Sequence, residues 1–314
     1  MKKMLIVAGL AALMSTSAMA ANIGVSMAKF DDNFLTVLRN GMSDYAKTLP
    51  DTNVQIEDAG NDVAKQLDQV KNFIASKVDA IIVNPVDTSA TQAITDAAAA
   101  AHIPLVYVNR QPINVDTLPD GQAFVASNEA DSGTLETKEV CRLLKAAGKD
   151  KGANILVMQG ELSNQAAVQR TKDIHDVIAT PDCAFMKIVQ EQTANWQRDQ
   201  AQNLMTNWLS SGIKYDAVIA NNDEMAIGAI QAMKAAGVDP SKTIVAGVDA
   251  TQDALAEMAA GNLKATVFQD AAGQGHGAVD AALKLMKKEP VEKKVFVPFQ
   301  LVTPANMDKF MKKN

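Results

Sequence analysis

The chain makes the same statement twice, and that constrains its fold more than anything else in it. The segment ANIGV at 21–25 is echoed by ANILV at 153–157, and DAIIVNP at 79–85 by DAVIANN at 216–222. Around each pair, short apolar β-branched runs alternate with stretches whose apolar residues recur at helical spacing. In the first half, NVQIEDAG and IPLVYVNR are further strands. VAKQLDQVKNFIAS and TQAITDAAAAAH are helices. In the second half, MKIVQEQT and TIVAGVDA are strands, and RDQAQNLMTNWLSSG and AIGAIQAMKAAG are helices. Strands that are apolar on both faces and joined through helices belong to parallel sheets covered on both sides. A β-α-β-α-β unit that recurs within one chain is a structural duplication. The expected fold is therefore α/β, with two similar doubly wound parallel-sheet lobes.

Ahead of the first repeat, MKKMLIVAGLAALMSTSAMA carries Lys2 and Lys3, an apolar run and Ala18-Met19-Ala20. That order of basic, apolar and small residues is a secretory signal over 1–20, cleaved before Ala21, and it implies an exported product. The whole chain has a net charge of -6, and loss of the two leader lysines leaves two units more negative charge. A chain so acidic has no basic face for nucleic acid. Cys141 and Cys183 are the two cysteines. In an oxidising compartment they can pair, or they can lie buried as thiols.

In open α/β sheets a ligand lies beyond the carboxyl ends of the strands, so the residues there are candidates. YDAVIANNDEMAIGAIQAM, at 215–233, puts Asn222 at such a turn. Either Asn222 or Asp223 can cap the helix that follows, and Asp223 is the better cap on this reading. At other strand ends stand Asp31, Asp32 and Phe34, then Asn109 and Arg110, then Trp196, Asp249 and Gln269, with Arg170 on the helix that follows the first strand of the second half. Carboxylates, amides and guanidinium groups offer paired acceptors and donors in fixed geometry, which suits neighbouring hydroxyls. Phe34 and Trp196 add flat apolar faces for the C–H side of a ring. Trp208, among Leu204, Met205 and Leu209, is core. This set suits a sugar or cyclic polyol.

Enzymatic chemistry finds little support. The three histidines, His102, His175 and His276, stand in helix-like contexts far in sequence from these loops. No G-x-S-x-G or H-E-x-x-H occurs, and the GQGHG run at 273–277 precedes no unit suited to a dinucleotide. No catalytic residue, metal site or cofactor is expected. A two-lobed transcription regulator would begin with a basic helix-turn-helix rather than a leader.

Taken together, FDDNFL, VNPVD, IPLVYVNRQP, QAAVQR, TANWQR, ANNDEMAIGAIQAM, VAGVDAT and ATVFQD resemble the periplasmic sugar-binding proteins of ABC uptake systems, the ribose-binding type (periplasmic binding protein type I), over essentially the whole mature length. The resemblance implies a three-crossing hinge near Ser127-Asn128, Gln269-Asp270 and Pro298-Phe299. It also implies an N-terminal lobe of 21–127 plus 270–298 and a C-terminal lobe of 128–269 plus 299–314. Matching motif to motif gives ligand contacts at Asp31, Asp32, Phe34, Asn109, Arg110, Arg170, Trp196, Asn222, Asp249 and Gln269. Ribose binders carry asparagine in place of Asp32, phenylalanine in place of Leu35 and of Trp196, aspartate in place of Asn109, and an aromatic in place of Val248. VYVNRQP, GELSNQAA, QEQTANWQR and DVIATPDC are similar to the subgroup for myo-inositol and derivatives such as rhizopines. The implied function is capture of myo-inositol by a monomer that delivers it to an ABC permease. A pentose or hexose such as ribose or galactose is the alternative, and so is docking on a chemoreceptor. Both cysteines would then lie in the second lobe, where a bond between them leaves the hinge free.

Overall fold

A computed structural model describes residues 20–314, so nearly all of the leader lies outside the described residues. From Ala21 the chain runs β1 (Ala21–Met27), α1 (Asn33–Thr48), β2 (Thr52–Asp58), α2 (Val63–Ala75), β3 (Ala80–Val83), α3 (Gln92–Ala100), β4 (Leu105–Val108) and β5 (Gln122–Ala126). It then continues as α4 (Glu129–Ala146), β6 (Ala153–Gln159), α5 (Gln165–Ile178), β7 (Met186–Thr193), α6 (Arg198–Ser210), β8 (Ala217–Ala220) and α7 (Asp223–Ala235). The last part is β9 (Ile244–Ala246), α8 (Gln252–Ala259), β10 (Thr266–Phe268), α9 (Ala271–Met286), β11 (Lys294–Phe296) and β12 (Gln300–Val302).

Two sheets result, each with helices on both faces. The first has the order β11-β5-β4-β3-β1-β2, and the second β7-β6-β8-β9. Parallel bridges at Ala246–Ala265 and Asp249–Phe268 bring β10 alongside β9, and β12 pairs antiparallel to β10. In each sheet the first strand of its repeat lies between the second and the third: β1 pairs with β2 and β3, and β6 with β7 and β8. β1, β3, β6 and β8 are apolar on both faces, as their burial requires. The chain passes between the sheets three times: from β5 to α4, from β10 to α9, and from β11 to β12.

The helix ends follow local chemistry. Asp32 caps α1 by accepting from the Leu35 amide at 2.9 Å, and Asn222 caps α7 by accepting from the Met225 amide at 3.0 Å. The cap of α7 is thus Asn222, not Asp223. The Asp223 carboxylate is instead committed inward, accepting from Thr266 Oγ1 at 2.7 Å and the Thr251 amide at 2.9 Å. The glycine-rich run at 273–277 is a packing surface on α9. A Cβ on Gly275 would stand 3.1 Å from the Leu38 carbonyl and from Met42 Cγ, so this glycine lets α9 approach α1 closely. His102 lies past the end of α3, in a turn with φ 54°, rather than within a helix.

Cys141 on α4 and Cys183 ahead of β7 are joined, with Cα atoms 5.8 Å apart, inside the core on one face of the second sheet. Trp208 lies in the core on the other face. Among the described residues, no helix is long and apolar enough to cross a membrane.

Candidate functional site

Between the two sheets, beyond the carboxyl ends of their central strands, lies a crevice whose atom-free space, open mouth included, is about 380 Å³. From the first lobe its wall receives Asp32, Phe34, Asn109 and Arg110, and from the second Arg170, Trp196, Asn222, Asp249 and Gln269. Nine of the ten residues singled out from the sequence therefore meet here. Asp31 does not. It is exposed and lines the outer mouth beside Asn33 and Glu224, because Asp32 turns inward to cap α1 and its neighbour points away. Glu129, Asn164, Leu35 and Ala166 also line the crevice without having been singled out. Glu129 opens α4, where an acidic residue is ordinary in the first turn, and that made it inconspicuous.

Several of these side chains are held by backbone that L residues seldom adopt. Asn109 has φ 66°, Trp196 φ 65° and Asp249 φ 123°. Left-handed non-glycine residues concentrate where a side chain must be aimed. Asn109 is further fixed by Asn84 Nδ2, which donates to its Oδ1 at 3.3 Å.

Arg170 is the best-anchored group. Its Nε and Nη2 donate to the two Glu129 oxygens at 2.8 and 3.0 Å, and its Nη1 donates to the Asn221 carbonyl at 2.7 Å. Burial works against its charge, and the Glu129 carboxylate more than offsets it, so the guanidinium is held above its usual range. Arg110 donates to the Pro85 and Val86 carbonyls at 3.1 and 3.3 Å. Burial lowers its pKa, and Glu161 and Asp32 oppose that shift.

What the walls leave unpaired is informative. Arg110 Nε, Trp196 Nε1 and Gln269 Nε2 are buried donors with no protein partner. Asp249 is 3 % exposed, yet among the described residues no donor reaches its carboxylate. Desolvation pushes its pKa well up, Arg170 opposes the shift, and Asp223, Asp32 and Glu129 reinforce it. Desolvation also raises Asp32, opposed by the Leu35 amide and then by Lys29 and Arg110. Buried polar groups almost always have partners, so donors and acceptors left open in one wall describe a ligand that supplies both.

Trp196 packs its indole against Gly160, where a Cβ would stand 2.2 Å from the ring. Gly160 is required there for space. Gly160→Ala is expected to push the indole into the crevice and weaken ligand binding by roughly tenfold or more, with about 1–3 kcal/mol of lost stability from overpacking. Calorimetric affinity beside a urea transition checks it; unchanged affinity would show that the indole face contributes nothing.

The lobes are closed on each other. The Thr88 amide donates to the Ser163 carbonyl at 3.1 Å, the Gln165 amide donates to Thr88 Oγ1 at 3.0 Å, and Asn33 Nδ2 donates to Glu224 at 2.9 Å. Glu161 of the second lobe sits 3.3 Å from Lys29 and 3.6 Å from Arg110 of the first, all three buried.

Comparison with known proteins agrees with this geometry. A profile described as periplasmic binding protein domain matches residues 23–290. A protein of Rhizobium meliloti provisionally named for rhizopine binding is 64% identical over 314 residues, covering 100% of both chains. An ABC transporter solute-binding protein of Bacillus halodurans C-125, solved with bound myo-inositol, superposes with a TM-score of 0.87 at 40% identity, covering 96% of this chain and 100% of that one. The Caulobacter myo-inositol binding protein, also solved with myo-inositol, gives 0.83 at 29% identity over 92% and 95% of the two chains.

Proposed function

Because this chain belongs to the periplasmic binding protein domain family, whose matched relatives are sugar- and polyol-binding proteins of ABC import systems and not enzymes, we propose that it captures a cyclic polyol, myo-inositol foremost, between its lobes and delivers it to an ABC permease. The observation that carries this reading is the wall of unclaimed donors and acceptors around the Trp196 indole. A hydroxyl both donates and accepts. A ring bearing one on every carbon can therefore satisfy Asp32 and Asp249 as acceptors and Arg110, Trp196 and Gln269 as donors. The indole meets its C–H face. Two solved relatives hold myo-inositol, and the Rhizobium meliloti relative is named for rhizopine.

In the mechanism, a protein working as a monomer opens about the three crossings, admits the polyol, and is selected in its closed form by contacts from both lobes. The first lobe supplies Asp32, Phe34, Asn109 and Arg110; the second supplies Arg170, Trp196, Asn222, Asp249 and Gln269. Closure removes water, so bonds to charged groups contribute roughly 1.5–3 kcal/mol each. That is enough for a micromolar site after the entropy of association is subtracted.

The test is a panel of thermal transitions of protein stripped of ligand by unfolding and refolding, with myo-inositol, ribose, glucose and galactose at equal concentration. The stabilisation reads affinity directly, since a ligand that binds only the folded state raises the midpoint by mass action. The largest shift is expected with myo-inositol. A larger shift with an aldose would assign the crevice to that sugar instead.

A further inference from the structure

Two buried side chains, one on each side of the crossings, tie ligand-facing groups to the hinge. In the second lobe this is Arg170. Besides Glu129, two residues past Ser127 on the first crossing, it reaches Gln269 Oε1 at 3.4 Å, on the second crossing. Its guanidinium carbon also lies 5.9 Å from the centre of the Phe299 ring, on the third. One guanidinium thus lies against the second-lobe root of every crossing while its carbon stands 5.6 Å from the centre of the Trp196 ring in the crevice.

In the first lobe the counterpart is Gln274 on α9, fully buried and outside the crevice wall. Its Oε1 accepts from Asn109 Nδ2 at 3.1 Å, and its Nε2 donates to Ser127 Oγ at 2.9 Å. The amide of a crevice residue is thereby linked through one side chain to the first crossing. α9 itself begins directly after the second crossing, at Asp270.

We propose that Arg170 and Gln274 are paired hubs that couple ligand occupancy to lobe closure, Arg170 by direct contact with the bound molecule and Gln274 as a positioning residue acting through Asn109. Arg170 gathers the roots of all three crossings on its side, and Gln274 ties the first crossing to the start of α9 on the other. Rotation is then confined to the few residues between the clamps, and a ligand that bridges Asn109 and Arg170 fixes both clamps at once. A hinge whose flanks are over-determined in this way has discrete open and closed states rather than a continuum. The proposal rests on the reading of the crevice as the ligand site.

The test uses the full mature chain with Gln274→Met, Ser127→Ala, Asn109→Ala and the double variant Asn109→Ala/Gln274→Met. Affinity for myo-inositol is measured by calorimetry, and the radius of gyration by small-angle scattering with and without the ligand. Gln274→Met and Ser127→Ala are expected to weaken binding by roughly tenfold, the effect of stranding one buried amide or hydroxyl partner. Both are also expected to raise the radius of gyration of the ligand-free protein. In the Asn109→Ala background the Gln274 substitution should change affinity by less than about twofold, because coupled residues are non-additive. Ser127→Ala removes one hydroxyl and keeps the test open if Gln274→Met unfolds. Wild-type affinity and scattering in both single variants, or full additivity in the double variant, overturns the proposal. If the wild type ignores myo-inositol, the ligand assignment fails by itself. The ligand-free scattering still decides the hubs, and an unchanged radius in both single variants overturns them.

Discussion

Arg170→Ala is expected to abolish measurable ligand binding and to lower unfolding free energy by about 3–5 kcal/mol, the usual cost of stranding one partner of a buried ion pair. Arg170 and Glu129 side chains are each 5% exposed, and the carboxylate has both oxygens bonded to the guanidinium. Removal of the arginine leaves that charge in a dry site and also frees the Asn221 carbonyl. Stability and binding can be separated. Replacement of both partners by apolar residues, Arg170→Met with Glu129→Leu, removes the stranded charge and should recover most of the stability, since well-packed apolar substitutes for buried ion pairs are often neutral. Binding should stay lost, because on the proposed reading of the crevice the guanidinium contacts the ligand. Urea transitions and calorimetry on the single and double variants check both halves. Binding retained by Arg170→Ala would remove this residue from the site.

The second large effect concerns the pair Cys141 and Cys183. The bond closes a loop across a sequence separation of 42, and it joins α4 to the turn ahead of β7 within one lobe. In the chain-entropy account a loop of that length stabilises by about 4 kcal/mol. Cys183→Ser, or reduction, is therefore expected to lower the denaturation midpoint by an amount comparable to the loss of the buried ion pair. Affinity should change by less than about threefold, because neither cysteine lines the crevice and the bond does not span the hinge. Denaturant titrations with and without reductant, together with thiol counts on folded protein, give the answer. An unchanged midpoint on reduction would show that the bond contributes nothing to this fold.

Much of this architecture is legible in the residues, and particular segments show why. MKIVQEQT coincides with β7 at both ends. The strand ending at Ala220 is apolar throughout, as a central parallel strand must be, and it stops where Asn221-Asn222 introduce polar side chains. The choice between Asn222 and Asp223 as cap was not legible, because both residue types cap well and the partners that claim Asp223 come from later in the chain, Thr251 at the cap of α8 and Thr266 in β10. Asp31 and Asp32 are likewise indistinguishable as residue types, and only Asp32 reaches the Leu35 amide.

Glu129 and Gln274 stayed hidden for a different reason. Glu129 opens α4 and Gln274 lies within α9, and their importance arises only when the three crossings bring helix starts together. The glycines at 273–277 carried a misleading local signal. Their spacing mimics a dinucleotide fingerprint, but Gly275 serves contact between α9 and α1, which depends on residues more than two hundred positions earlier.

The most direct test is an isothermal titration of ligand-stripped wild-type protein with myo-inositol at several temperatures. The account predicts one site per chain, micromolar or tighter affinity, and a negative heat-capacity change from closure over the ring and burial of apolar surface. Absence of saturable heat at any temperature, in protein whose fold has been verified, would contradict the assignment of the crevice to this cyclitol.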